Sequence, residues 1–218
     1  MWLYKMIKSW DYLNEYKLIK HKIDKKITKV LKSGTLFFGN ENKQFEKNFI
    51  NINKSKYGLA VGSGTDALIL SLKALNIGIN DEVITVSNTA IPTAAAIKSV
   101  GATIKFVDVG TDYLINVEKI KKAITKKTKA IIPVHLYGQA CEMKKIISLA
   151  KKYNLKVIED CAQAQGAEYD KIKVGNFGDT GCFSFYPTKI LGAYGDGGFV
   201  VTSNFKTYKK LKRLRFYG

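Results

Sequence analysis

An α/β fold, with a mainly parallel mixed sheet and helices on both faces, is what this 218-residue sequence predicts, and three observations predict it. Short apolar runs alternate with amphipathic stretches of about 10 to 15 residues, the rhythm of strand–helix–strand units. Several runs are apolar at consecutive positions, as strands covered on both faces are. Polar and glycine-rich segments such as Gly62-Ser63-Gly64-Thr65 recur where the strands end, the edge at which open α/β sheets place ligands. A hydrophobic fraction of 46% is ample for a core.

Taken in order, Leu18, Ile19, Ile23, Ile27, Val30 and Leu31 fall at helical spacing over residues 15–32, and Ser33-Gly34 closes that helix. A loop from Gly39 enters a short helix expected to bury Phe45 and Phe49. A strand at Tyr57 to Val61 breaks at Gly62-Ser63-Gly64-Thr65, and a helix follows from Asp66 to Leu75. Strands at Glu82 to Val86, Thr103 to Val107, Lys129 to Val134 and Lys156 to Glu159 are separated by helices at Ile91 to Val100, Val117 to Ala123 and Glu142 to Tyr153. Beyond Cys161 the rhythm changes. Short strands around Glu168-Tyr169 and Ile172 flank Asp170 as a hairpin, and Gly181 to Phe185 and Gly198 to Thr202 form two more, the last a candidate for antiparallel pairing. A basic helix runs from Phe205 to Phe216. No repeat, linker or boundary shows, so residues 1–218 read as a single domain.

The formal charge of +18 raises nucleic-acid binding as a reading. All the basic residues except Arg213 and Arg215 are lysine, however, and they are scattered along nearly every segment. Base readout favours the arginine fork, and a binding footprint clusters on one face. A lysine-rich solvated surface is therefore expected, with no specific nucleic-acid partner. Cys141, Cys161 and Cys182 lack metal spacing and are too few for a disulfide framework, so they read as reduced packing residues. No histidine, cysteine or carboxylate cluster points to a metal. The N-terminus shows no apolar leader, and no run approaches the roughly 18 apolar residues of a spanning helix. A soluble, cytoplasmic protein is expected.

The stretch from Lys156 to Val200 carries the most chemistry. Asp160 ends one buried strand, Ser184 sits near the end of another, and Lys189 follows in Pro187-Thr188-Lys189, before the glycine-rich turn Gly192 to Gly198. An acid, a hydroxyl and an amine brought to one sheet edge suit pyridoxal phosphate. That cofactor needs a lysine for its aldehyde, an acid facing the pyridine nitrogen, and hydroxyls or N–H groups for its phosphate. Gly62-Ser63-Gly64-Thr65, between strand and helix, suits an anion, although an ordinary tight turn with Thr65 as N-cap has the same composition. It lacks the Gly-Lys-Ser/Thr of a Walker loop and the third glycine of a dinucleotide fingerprint. Lys189 could equally be a solvated lysine, Asp160 a turn cap, and Gln163 a surface amide. Strand alternation sends Ser184 to one face and Phe183 and Phe185 to the other. His135 ends another strand on the same edge. A Gly-x-Ser-x-Gly elbow is absent, which removes that hydrolase reading.

Five segments in order, GSGTDALILSLKAL (62–75), DEVITVSNTAIPTAAAI (81–97), VHLYGQACEM (134–143), KVIEDCAQAQGAEY (156–169) and CFSFYPTKILGAYGDGGFVVT (182–202), carry a resemblance. They resemble the DegT/DnrJ/StrS family of sugar-nucleotide aminotransferases, pyridoxal-phosphate enzymes of the aspartate aminotransferase fold. The resemblance implies the large domain of a fold type I transferase, with the family's small C-terminal domain missing from 1–218. It implies that Lys189 binds the cofactor and moves the proton, that Asp160 pairs with the pyridine nitrogen, and that Gln163 contacts the ring oxygen. Gly64, Thr65 and Ser184 would hold the phosphate. The implied reaction transfers an amino group, with glutamate as donor, to a dTDP- or UDP-linked keto-deoxy sugar for surface polysaccharide or amino-sugar synthesis, in a homodimer. Lysine at position 189 favours transamination over the dehydration of a histidine-bearing branch. One position departs from the pattern: Ala90 stands where an aromatic commonly stacks on the ring. The alternative implied is an inactive fragment, or a regulatory or binding protein keeping the fold.

Overall fold

A computed structural model describes residues 10–218. Met1 to Ser9, part of the stretch without a leader pattern, lie outside the described residues. The chain divides into two compact units between Lys47 and Asn48. In the first, helix α1 (Tyr12–Lys32) buries no residue and is closed by Gly34 at φ +68°, the left-handed ending that glycine adopts without a Cβ penalty. Glu41 of helix α2 (Asn40–Asn53) pairs with Lys26 and Lys29 at 3.1 and 2.8 Å. The division falls within α2, where one of the two phenylalanines expected to be buried is and the other is not. Phe49 is 6% exposed, whereas Phe45 is 36% exposed and is not part of the core.

The second unit is built on strands β1 (Tyr57–Val61), β2 (Glu82–Val86), β3 (Thr103–Val107), β4 (Thr128–Ile132), β5 (Lys156–Asp160), β8 (Thr180–Ser184) and β9 (Gly198–Thr202). They form one seven-stranded sheet in the order β1-β9-β8-β5-β4-β2-β3. The pairs β2–β3, β2–β4, β4–β5 and β5–β8 are parallel. Only β9 runs against its neighbours, β1 and β8. The mainly parallel mixed sheet expected from the sequence is the sheet that forms. A separate hairpin, β6 (Glu168–Tyr169) with β7 (Ile172–Lys173), turns through Asp170 and Lys171, both at positive φ.

Strand alternation sorts the core into two sides. Val83, Ile132 and Ile158 join the cluster with helices α3 (Gly64–Ala74), α4 (Ile91–Ser99) and α7 (Phe205–Leu214). Their strand neighbours Ile84, Ile131 and Val157 join the cluster with α5 (Val117–Ala123) and α6 (Met143–Tyr153). Successive side chains on a strand point to opposite faces, so consecutive apolar residues are required where both faces are covered. A third cluster gathers Phe49, Phe183, Phe185 and Phe199, with the Phe49 ring 5.1, 5.3 and 4.6 Å from the other three. Parallel pairing brings the carboxyl ends of β2, β4, β5 and β8 to one edge, and the reversal of β9 returns Gly198 to that edge beside the end of β1. Among the described residues no helix is long and apolar enough to cross a membrane.

Candidate active site

The loops at this edge enclose a cavity of about 280 Å³, and all six residues singled out in the sequence line it: Gly64, Thr65, Asp160, Gln163, Ser184 and Lys189. They come from three separate stretches of chain, which only the sheet order brings together.

One wall is the start of α3. Ser63, not Thr65, is the N-cap: its hydroxyl accepts the Asp66 N–H at 3.0 Å, and its carbonyl accepts the Ala67 N–H at 3.1 Å. Thr65 therefore sits inside the first turn. The N–H groups of Gly64 and Thr65 have no acceptor within the helix, as at any helix start, and the helix dipole makes this end favourable to an anion. A Cβ on Gly64 would lie 2.7 Å from the Ser184 Cβ, and one on Gly198 only 2.2 Å from the Ser63 carbonyl. Glycine at both positions lets α3 seat directly on the ends of β8 and β9. Ser184 is buried, its carbonyl accepts from Gln165 Nε2 at 2.6 Å, and its Oγ accepts the Tyr186 N–H at 3.2 Å. Phe183 and Phe185 point the other way into the aromatic cluster, as alternation requires.

Asp160 is 5% exposed. Its Oδ2 accepts from the Thr93 hydroxyl at 2.8 Å and its Oδ1 from the Ala162 N–H at 3.1 Å. Burial pushes its carboxyl above the usual carboxylate range. The Ala162 N–H, the Thr93 hydroxyl and the Lys189 charge act in the opposite direction. Thr93 Oγ1 also meets Thr89 Oγ1 at 2.7 Å, so a chain of hydroxyls backs the carboxylate. Gln163 Oε1 accepts the Tyr137 N–H at 3.3 Å, which leaves the amide nitrogen of Gln163 as the donor for the cavity. Tyr137 holds this N–H in place from a left-handed backbone, φ 56°. Lys189 is half-buried between exposed Thr188 and Ile190, and its N–H closes a turn onto the Tyr186 carbonyl at 2.8 Å.

Ala90 caps α4 and lines the cavity, as does Ala162; among the described residues the one aromatic in the lining is Tyr186. Thr93 and Thr89 were not legible in advance, since a threonine in or just before a first helical turn has the composition of a cap. The available signal was position alone: both follow β2 on the edge already marked by Asp160. The three cysteines are free and buried. Burial pushes the Cys141 thiol up to about 12 and those of Cys161 and Cys182 well above their ordinary range, which makes them inert packing groups.

A model of the DegT/DnrJ/EryC1/StrS aminotransferase family matches residues 17–218. The chain is 46% identical over 210 residues to the dTDP-3-amino-3,4,6-trideoxy-alpha-D-glucose transaminase of Micromonospora megalomicea subsp. nigra, covering 96% of this chain and 56% of that protein. The X-ray structure of S. venezuelae DesV in complex with a ketimine intermediate matches with TM-score 0.91 at 40% identity, over 95% of this chain and 56% of that one. The structure of ntda from Bacillus subtilis with bound cofactor PMP matches with TM-score 0.83 at 36% identity, over 88% and 44%. The chain thus spans about half the length of the relatives it matches.

Proposed function

We propose, from the premise that this chain belongs to the DegT/DnrJ/EryC1/StrS aminotransferase family, that its cavity holds pyridoxal phosphate and serves transamination of a nucleotide-linked keto-deoxy sugar. One observation carries the reading: an anion-suited helix start, a buried carboxylate and a half-buried lysine line a single cavity. The donor set fits the cofactor. Gly64 and Thr65 N–H groups with the Ser184 hydroxyl suit a phosphate, and the glycine at 64 lets the helix start approach Ser184 more closely than a Cβ would allow. Asp160 would face the pyridine nitrogen, and the Gln163 amide would offer an N–H to the ring oxygen. A bound PMP in one structural neighbour and a ketimine in another support the same reading.

When bound, the cofactor supplies an electron sink for the carbon that loses its proton. This chain's residues supply the rest. Asp160, held by Thr93 and Ala162, would keep a proton on the ring nitrogen. Lys189 would hold the cofactor's aldehyde through its amine and would be the group placed to accept and return a proton. With alanine at position 90, orientation of the ring would rest on the phosphate contacts, Gln163 and Asp160.

Glutamate is the proposed donor and a dTDP- or UDP-linked sugar the acceptor, following the dTDP-sugar name of the Micromonospora relative. A homodimer working in the cytoplasm, on sugars for surface polysaccharide or amino-sugar synthesis, completes the proposal. The test is to incubate the protein with pyridoxal phosphate and glutamate and measure 2-oxoglutarate. One equivalent per site, absent in Lys189→Ala, supports the reading. Cofactor binding without keto-acid release from glutamate or any of a panel of amino acids overturns it.

A further inference from the structure

We infer that Glu159 and His135 are a positioning pair, holding Asp160 in place through a closed circuit of hydrogen bonds; the inference rests on the cofactor reading above. Glu159 and Asp160 are consecutive on β5, so their side chains leave opposite faces of the sheet. Asp160 lines the cavity, whereas Glu159 is 0% exposed. Both oxygens of Glu159 are doubly engaged. Oε1 accepts the N–H groups of Phe177 and Gly178, each at 2.8 Å. Oε2 accepts the Gly175 N–H at 2.8 Å and meets His135 Nε2 at 3.1 Å. All of the roughly four acceptor sites of a carboxylate are filled, which is the condition for burying such an anion with no cation beside it.

His135 is also 0% exposed. Its Nδ1 accepts the Cys141 N–H at 3.0 Å, so the ring proton lies on Nε2 and is donated to Glu159. The pair is a neutral imidazole on a carboxylate, not two opposite charges. The circuit then closes through the main chain. The His135 N–H donates to the Asp160 carbonyl at 3.0 Å, and the Asp160 N–H donates to the Pro133 carbonyl at 2.9 Å. A metal is not what this cluster serves, although His135, Glu159 and Cys161 bring ligand atoms within 4.8 Å of one another. The lone pairs of the histidine and the carboxylate are already spent on N–H donors.

Glu159→Gln breaks the circuit in either amide orientation. With its nitrogen toward His135 it faces the Nε2 proton, and the ring cannot move that proton to Nδ1 without opposing the Cys141 N–H. With its nitrogen toward Phe177 and Gly178 it opposes two N–H groups. His135→Asn keeps an acceptor for Cys141 and loses the donor to Glu159; His135→Gln keeps the donor. The experiment compares dissociation constants for pyridoxal phosphate and for its deaza analogue, which has carbon in place of the ring nitrogen, by visible absorbance. Glu159→Gln and His135→Asn are expected to weaken pyridoxal phosphate about tenfold, the scale set by one orphaned buried donor. The deaza analogue changes by less than about twofold, because only the nitrogen contact runs through Asp160, and His135→Gln stays near the parent. Equal losses for the two cofactors, or no loss, overturn the inference. If Glu159→Gln does not fold, the His135→Asn and His135→Gln pair decides it alone. A parent protein with no visible band overturns the cofactor reading, and this inference with it, before any variant is made.

Discussion

Asp160→Asn should raise the stability of the cofactor-free protein while weakening its cofactor site. Asp160 is buried, and burial raises its carboxyl above the ordinary value of 3.8. Below pH 3.8 the group is protonated in folded and unfolded chains alike and costs nothing. As pH rises from 3.8 through the raised folded value, the unfolded chain releases its proton first, and stability falls. At pH 7, well above 3.8, the folded chain bears this cost of burying an acid, and asparagine would not. Asparagine also fits the existing bonds: Oδ1 accepts the Ala162 N–H, and Nδ2 donates to Thr93 Oγ1, which turns its own proton to Thr89. Replacing a buried charge by a well-bonded neutral group is commonly worth about 1 kcal/mol or more, so Tm at pH 7 should rise by about 2–4 °C. The gain should shrink toward pH 4. Pyridoxal phosphate binding should weaken about 10- to 100-fold, the loss of one charge-assisted bond of roughly 1.5–3 kcal/mol. Thermal melts from pH 4 to 8 and absorbance titrations measure both. A less stable variant at pH 7 that binds the cofactor as the parent does would refute the reasoning.

Three further changes separate packing from chemistry. Gly64→Ala places a Cβ 2.7 Å from that of Ser184; it should cost about 1–3 kcal/mol in urea unfolding and remove phosphate binding, measured by pyridoxal phosphate titration. Phe49→Ala removes a ring that meets three others; it should cost about 3–5 kcal/mol, with cofactor affinity unchanged in the protein that remains folded. Ala90→Phe adds a ring beside the cavity and should tighten pyridoxal phosphate several-fold, on the scale of about 0.5–1.5 kcal/mol for an aromatic pair; unchanged or weaker binding in the titration would show that position 90 does not face the ring.

Much of the sheet was legible because its rules are local. Consecutive apolar residues such as Val83-Ile84 and Val157-Ile158 must be covered on both sides, and each pair divides between the two core clusters. The ends of those strands then share an edge, so Asp160 and Ser184 could be grouped without knowing a contact. What escaped depends on geometry between distant segments. Thr93 becomes a partner of Asp160 only because β2 and β5 flank β4. The cap at Ser63 rather than Thr65 is decided by one hydroxyl's reach to the Asp66 N–H. Glu159 reads as half of an acidic pair, yet three of its four partners are main-chain N–H groups of a glycine-rich loop that any sequence could present. Phe45 and Phe49, one helical turn apart, looked alike, yet Phe49 is buried among rings and Phe45 is 36% exposed.

The most direct measurement is the visible absorbance of the 218-residue protein mixed with pyridoxal phosphate, beside Lys189→Ala and Asp160→Asn. A band in the parent that is absent in Lys189→Ala, weakened in Asp160→Asn and bleached by glutamate is the predicted result. A band that persists in Lys189→Ala, or none in the folded parent, would contradict the assignment of this cavity.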